Sequence, residues 1–184
     1  NSFMDVATTF FQAKFFSRNI DEILVSPTPP SVIIAGFVAS GVVRGMMIGI
    51  LVLIVSLFFA LPSIAHPLVV LLFLFLSSLV FALAGLINGI YAKTFDGISI
   101  VPTFVLTPLV YLGGVFYSIH SLPPFWQTVS LGNPIFYIIN GFRYGFLGTS
   151  DVSSYVCIAV LLVLTLILLG VNMYFLKNGL GLRQ

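Results

Sequence analysis

The sequence predicts an all-α polytopic membrane protein. It should have four full transmembrane helices, the end of another, a cytoplasmic amphipathic helix and an extracellular re-entrant helix pair. Two observations carry that reading. Hydrophobic residues make up 59% of the 184 residues and charged residues only 7%, with a mean hydropathy of +1.18, whereas soluble domains carry about 25% charge. The apolar residues also fall in runs long enough for a bilayer span, which needs about 20 of them. A β-barrel is excluded because runs such as Val-Leu-Leu-Phe-Leu-Phe-Leu (70–76) do not alternate polar with apolar.

The elements follow in chain order. The chain starts at Asn1 with no charged n-region ahead of an apolar core. It is therefore expected to be a fragment truncated at its N-terminus, and residues 1–13, which hold Asp5, to be the cytoplasmic end of a helix begun upstream. Residues 14–25 predict an amphipathic helix. Phe16, Ile20, Ile23 and Leu24 share one face, and Lys14, Arg18, Asp21 and Glu22 lie on the other. Arg18 reaches Asp21 and Glu22 at the i+3 and i+4 spacings, about 0.2–0.5 kcal/mol per pair. Pro27 ends this helix, because the residue before proline is pushed out of the helical region.

The four spans are expected at 31–61, 68–91, 98–118 and 153–176. Arg44 is the one charge in the first, and it is expected to snorkel at the cytoplasmic boundary, with a buried ion pair as the alternative. Lys93 and Asp96 mark a polar loop, and Pro102 and Pro108 predict a kink in the third span. In the remaining stretch, Pro123-Pro124 starts a helix and Asn133-Pro134 breaks and restarts it. Neither half is long enough to span, so 123–148 reads as a pair that dips into the membrane and returns. With the 14–25 helix inside, Lys14, Arg18, Lys93, Lys177 and Arg183 all fall on the cytoplasmic side and Arg143 alone outside, as the positive-inside rule asks.

Several function classes are disfavoured. A net charge of +2 without a basic tract gives nucleic acid nothing to bind. Cys157 is the single cysteine, so there is no intrachain disulfide and no Cys-rich metal site. His66 and His120 fall in outer loops, Asp96 and Asp151 stand alone at opposite faces, and no catalytic or P-loop motif is present. No catalytic or metal-ligating residue is assigned. Gly41, Gly45 and Gly49 form one small-residue ridge and Gly85 with Gly89 another, which serve helix packing, with a dimer interface or a surface that slides during transport as the sharper alternative. Asn88, Thr107 and Asn172 read as interhelical hydrogen-bonding groups, with lining of a translocation path as the alternative. Arg143 could hold an anionic substrate or lipid phosphate, or could cap a re-entrant helix by binding its carbonyls.

Taken in order, several motifs resemble one family. They are Asp21-Glu22-Ile23-Leu24-Val25-Ser26-Pro27, Arg44-Gly45, Lys93-Thr94-Phe95-Asp96, Phe104-Val105-Leu106-Thr107-Pro108 and Gly113-Gly114-Val115-Phe116-Tyr117. Leu122-Pro123-Pro124, Asn133-Pro134 and Gly141-Phe142-Arg143-Tyr144-Gly145 close the pattern. Together they resemble the permease subunit of ABC-2 type transporters over nearly the whole chain. The resemblance implies six transmembrane helices per permease and a dimer of permeases, here a homodimer, on two ABC ATPase subunits in a bacterial inner membrane. The spans above would then be the third to sixth. It further implies that 14–25 is the coupling helix, with Lys14, Arg18, Asp21 and Glu22 at the ATPase-coupling interface. ATP and Mg would sit on the partner ATPase, with no cofactor in this chain. The cargo would be a drug, lipid or glycan. A non-transporting membrane scaffold is the rival reading, and a passive channel fits less well because the spans offer only isolated Asn, Ser and Thr.

Overall fold

A chain that meets lipid must satisfy its backbone hydrogen bonds within each segment, and helix is the only open-chain way to do so. The computed structural model describes residues 1–15, 29–59, 64–115 and 123–179, and every regular element among them is helical. In chain order these are α1 (Ser2–Phe15), α2 (Pro30–Phe59), α3 (Pro67–Tyr91) and α4 (Phe95–Leu112). Then come α5 (Pro124–Leu131), α6 (Pro134–Leu147) and α7 (Ser154–Asn178). Helices α2, α3, α4 and α7 are each long and apolar enough to cross a membrane.

The boundaries have local causes. Proline opens α2, α3, α5 and α6, where its missing N–H costs nothing. Gly148 (φ 72°) and Gly179 (φ 63°) close α6 and α7 in the left-handed conformation. The third span differs from its expected range of 98–118. Its helix begins earlier because the Thr94 hydroxyl accepts the Gly97 N–H at 3.1 Å, a side-chain N-cap. Asp96 therefore lies in the first turn of α4, where a carboxylate favours the helix dipole, and not in a loop. It stops earlier because Gly113 and Gly114, the latter at φ 81°, end it after Leu112.

Pro108 has no N–H to donate and would break a regular α-helix. Instead the chain widens into a π turn over Pro102–Leu106. The Thr107 N–H reaches back to the Pro102 carbonyl, and the Thr107 hydroxyl donates to the same oxygen at 3.0 Å. The expected kink is a π-bulge inside a continuous helix.

Glycine sets how the helices lie together. A Cβ on Gly41 would meet Ala82, one on Gly45 Ser78 and one on Gly49 Leu74, so α2 runs antiparallel to α3. A Cβ on Gly85 would meet Phe3 and one on Gly89 Ala7, so α1 runs parallel to α3. Both ridges thus face helices of this same chain. Around them Val6, Phe10, Ile34, Val38, Val42, Leu83, Leu86 and Ile90 close a core.

On the opposite end of α3, α6 packs antiparallel, with Gly145 against Val70 and Gly141 against Phe73. The His66 N–H donates to the Gly145 carbonyl at 2.9 Å, and the His66 ring stacks on Tyr144. The start of α6 lies deeper, where Ile138 clusters with Leu76, Val80, Cys157 and Leu161. The α5–α6 bend is held there against α4. Asn133 Nδ2 donates to the Leu109 carbonyl at 2.6 Å, and Ser130 Oγ to the Leu112 carbonyl at 3.1 Å. The bend therefore lies deeper in the bundle than the end of α6, where Gly145 meets Val70.

Two outcomes follow. A Gly89→Leu change places side-chain atoms where the Ala7 carbonyl lies 2.9 Å from a new Cβ, and overpacking costs about 1–3 kcal/mol. Gly170, whose Cβ would meet nothing within 4 Å, is the control. Thermal unfolding in detergent should show a lowered midpoint for Gly89→Leu and an unchanged one for Gly170→Leu. In a Cys157→Ser background, cysteines at Ala65 and Ser150 should react with an impermeant maleimide on intact cells, and one at Thr94 only after permeabilisation. Opposite labelling of Ala65 and Ser150 would refute the same-side return of α5 and α6.

Candidate functional site

Polar and charged groups are costly within a bilayer, so their positions mark where a membrane chain does something besides span. Three clusters stand out among the described residues, one at each end of the bundle and one at mid-height.

At the end of the bundle expected to face the cytoplasm, Lys14 lies in the last turn of α1. Its Nζ donates to the Ile90 carbonyl at 3.2 Å and sits 5.0 Å above the Phe15 ring. The last carbonyls of a helix have no intrahelical donor, and a cation there complements the helix dipole. Lys14 thus ties the end of α1 to the end of α3. Asn88 Nδ2 donates to the Ile98 carbonyl at 2.9 Å, and Ala7, Phe11, Ala92 and Ile98 pack together, so the start of α4 joins the same corner. Lys14 was expected to begin a helix. It instead ends α1, because the buried face of Phe3, Val6, Ala7, Phe10 and Phe11 keeps its period through this point. Arg18, Asp21 and Glu22, with the rest of the 14–25 helix, lie outside the described residues.

At mid-height, Arg44 of α2 forms an ion pair with Asp5 of α1. The expected boundary position does not hold. The first turns of α2 are level with the end of α3, since Ile34 joins the cluster of Leu86 and Ile90, and the helix from Ile34 to Arg44 is about 15 Å long. Arg44 therefore stands beside the middle of α3, next to the Gly45–Ser78 contact. The register made by Gly41, Gly45 and Gly49 places it there. The Asp5 side chain is only 11% exposed and that of Arg44 62%. Asn1, Met4, Thr8, Thr9 and Gln12 complete a groove of about 330 Å³ around the pair.

At the opposite end, expected to face outward, Arg143 Nη1 pairs with Asp151 Oδ2 at 2.9 Å, and Nη2 donates to the Gly114 carbonyl at 2.9 Å. The Asp151 N–H in turn donates to Asn140 Oδ1 at 3.0 Å. This network joins the end of α4, helix α6 and the turn before α7. Arg143 does bind a carbonyl, but that of the α4 end and not of a re-entrant helix. Asp151, read as solitary, is its partner. Elsewhere Asn172 Nδ2 bridges α7 to α3 through the Leu83 carbonyl at 3.1 Å, while Thr107 bonds within its own helix.

Sequence reasoning offered an ion pair for Arg44 only as the alternative and without its partner Asp5, and it missed the pair of Arg143 with Asp151. The usable signal was that opposite charges stranded in an apolar chain pair with one another. For Arg143 and Asp151 the short turn at Gly148 made the partner reachable, whereas nothing local connects Asp5 to Arg44.

Comparison with known proteins bears on these clusters. Residues 1–147 match the model of the ABC-2 type transporter family. The chain belongs to that family. It is 55% identical over 185 residues to the inner membrane transport permease YadH of Escherichia coli K12, covering 100% of this chain and 72% of that protein. The same identity and coverage hold for the permeases of that name in Escherichia coli O157:H7 and Shigella flexneri. No solved structure matches the chain. The protein is a multi-pass inner-membrane protein and a subunit of a transmembrane transporter.

The outer network yields a prediction. Hydrogen bonds to charged groups contribute about 1.5–3 kcal/mol. Arg143→Ala should lower the unfolding midpoint more than Asp151→Ala, because it also frees the Gly114 carbonyl, and the double variant should lose less than the sum. Strict additivity in that double-mutant cycle would show that the two side chains act independently.

Proposed function

We propose that this ABC-2 permease is the membrane subunit of an ATP-driven exporter, moving a drug, lipid or glycan with energy from a separate ATPase subunit. Nucleotide and Mg belong to that partner. A second copy of this permease completes the pathway, which opens alternately to the two sides.

The observation that carries this reading is the tie between Lys14 and the Ile90 carbonyl. Lys14 and Phe15, the described start of the 14–25 segment, lie at the corner where α1, α3 and α4 are joined by Lys14, Asn88 and the Ile98 cluster. A push on that segment reaches these helices together. Arg18, Asp21 and Glu22 supply the charged face that a water-soluble ATPase would grip, and rim charges of this kind govern the docking of partners.

The test is affinity capture of the full-length protein in mild detergent, comparing the wild type with an Arg18→Glu/Glu22→Lys variant. The wild type should retain an ATP-binding subunit, and the charge-reversed variant should lose it at unchanged membrane insertion. Retention by both moves the docking contact elsewhere. Absence from both leaves the scaffold reading in its place.

A further inference from the structure

We infer that the groove between α1 and Arg44 is a binding site for an anionic, phosphate-type group, held at mid-height of the bundle. The inference deepens the exporter reading by naming the chemistry of the cargo's polar end, and it rests on that reading.

Helix α1 has two unlike faces. Phe3, Val6, Ala7 and Phe10 are buried against α2 and α3. Asn1, Asp5, Thr8, Thr9 and Gln12 recur at helical spacing on the other face and line the groove. In a chain that is 59% hydrophobic, this is a concentrated polar stripe, and hydrocarbon cannot satisfy it. Water, protein or the polar part of a ligand has to meet it.

The ion pair gives the groove its sign. Asp5 lies beneath, 11% exposed, while Arg44 is 62% exposed, so the end presented to the groove is the cation. One Nη is engaged with Asp5. A guanidinium has five N–H donors in a fixed fork, and among the described residues the others meet no acceptor. Asp5 holds the fork by one edge and leaves the rest to the groove. Guanidinium edges bind phosphate and carboxylate oxygens bidentately. Thr8 and Thr9 hydroxyls and the Gln12 amide line the same groove and add neutral donors. The volume of about 330 Å³ suits a head group. The larger cavity beside the α5–α6 bend, about 440 Å³, is walled by Leu131, Pro134, Val160, Val163 and Ile167 and has no charge to hold one.

The test uses the full-length permease with its ATPase in nanodiscs of neutral lipid. The probes are dodecyl phosphate, dodecylphosphocholine and inorganic phosphate, with bound ligand counted by native mass spectrometry. Dodecyl phosphate should bind at least about tenfold tighter than dodecylphosphocholine. Arg44→Gln should abolish that preference, Arg44→Lys should keep part of it, and Thr9→Val/Gln12→Leu should weaken binding several-fold without touching the ion pair. The last variant keeps the test valid if Arg44→Gln fails to fold. Inorganic phosphate binding as tightly as dodecyl phosphate would support the anion site and assign its source to water and not to lipid. A wild type without preference, or a preference unchanged in both the Arg44→Gln and Thr9→Val/Gln12→Leu proteins, overturns the inference. Co-purification of the ATPase is scored in the same samples, so failure of the exporter reading is seen separately.

Discussion

The close approach of α1 to α2 and α3 is the constraint on which most of this structure depends. Lipid tails are as apolar as leucine, so burial alone does not drive one membrane helix against another. Contact does, and contact requires that backbones come close. Gly85 and Gly89 let the α1 backbone at Phe3 and Ala7 lie directly on α3, while Gly41 and Gly45 admit Val6, Ser2 and Ser78. Once that register is set, Lys14 is level with the last carbonyls of α3 and Asp5 is level with Arg44. A shift by one turn, about 5.4 Å, would strand both charges.

The second problem for so apolar a chain is what to do with interrupted helices. An end inside the membrane exposes carbonyls and N–H groups that lipid cannot satisfy. Here side chains serve those ends. Ser130 and Asn133 at the α5–α6 bend satisfy the Leu112 and Leu109 carbonyls of α4, and Arg143 takes the Gly114 carbonyl just beyond. The early stop of α4 and the α5–α6 bend are two halves of one arrangement, since the bend supplies the donors that the end of α4 needs. The π turn at Pro102–Leu106 handles Pro108 in the same spirit, through Thr107.

On the exporter reading these features divide the work. The cytoplasmic corner of Lys14, Asn88 and Ile98 joins three helices into one unit. The outer network of Arg143, Asp151 and Asn140 does the same for α4, α6 and the start of α7. Between these tied ends lies the polar face of α1, whose Arg44 comes from the neighbouring helix. A site built across two helices is sensitive to any change in how they meet, which is the property a pathway that alternates between two sides requires.

Much of the fold was legible in the sequence. Helix, span number and breaks depend on composition and on local backbone chemistry. Prolines at 30, 67, 124 and 134 open helices, glycines at 148 and 179 close them, and apolar runs lie between. The charged face expected at 14–25 lies, beyond Phe15, outside the described residues. What the sequence could not contain was depth and partnership. A run from Ser31 to Leu61 with a single charge gives hydropathy no marker of height, so Arg44 was assigned to the wrong level. Asp5 sat in a segment too short to be a span, with nothing local to connect it to Arg44. Composition determined that this protein lives in a bilayer as helices. The tertiary structure alone decided which charges meet there, because helix register is set by side-chain contacts between segments distant in the chain.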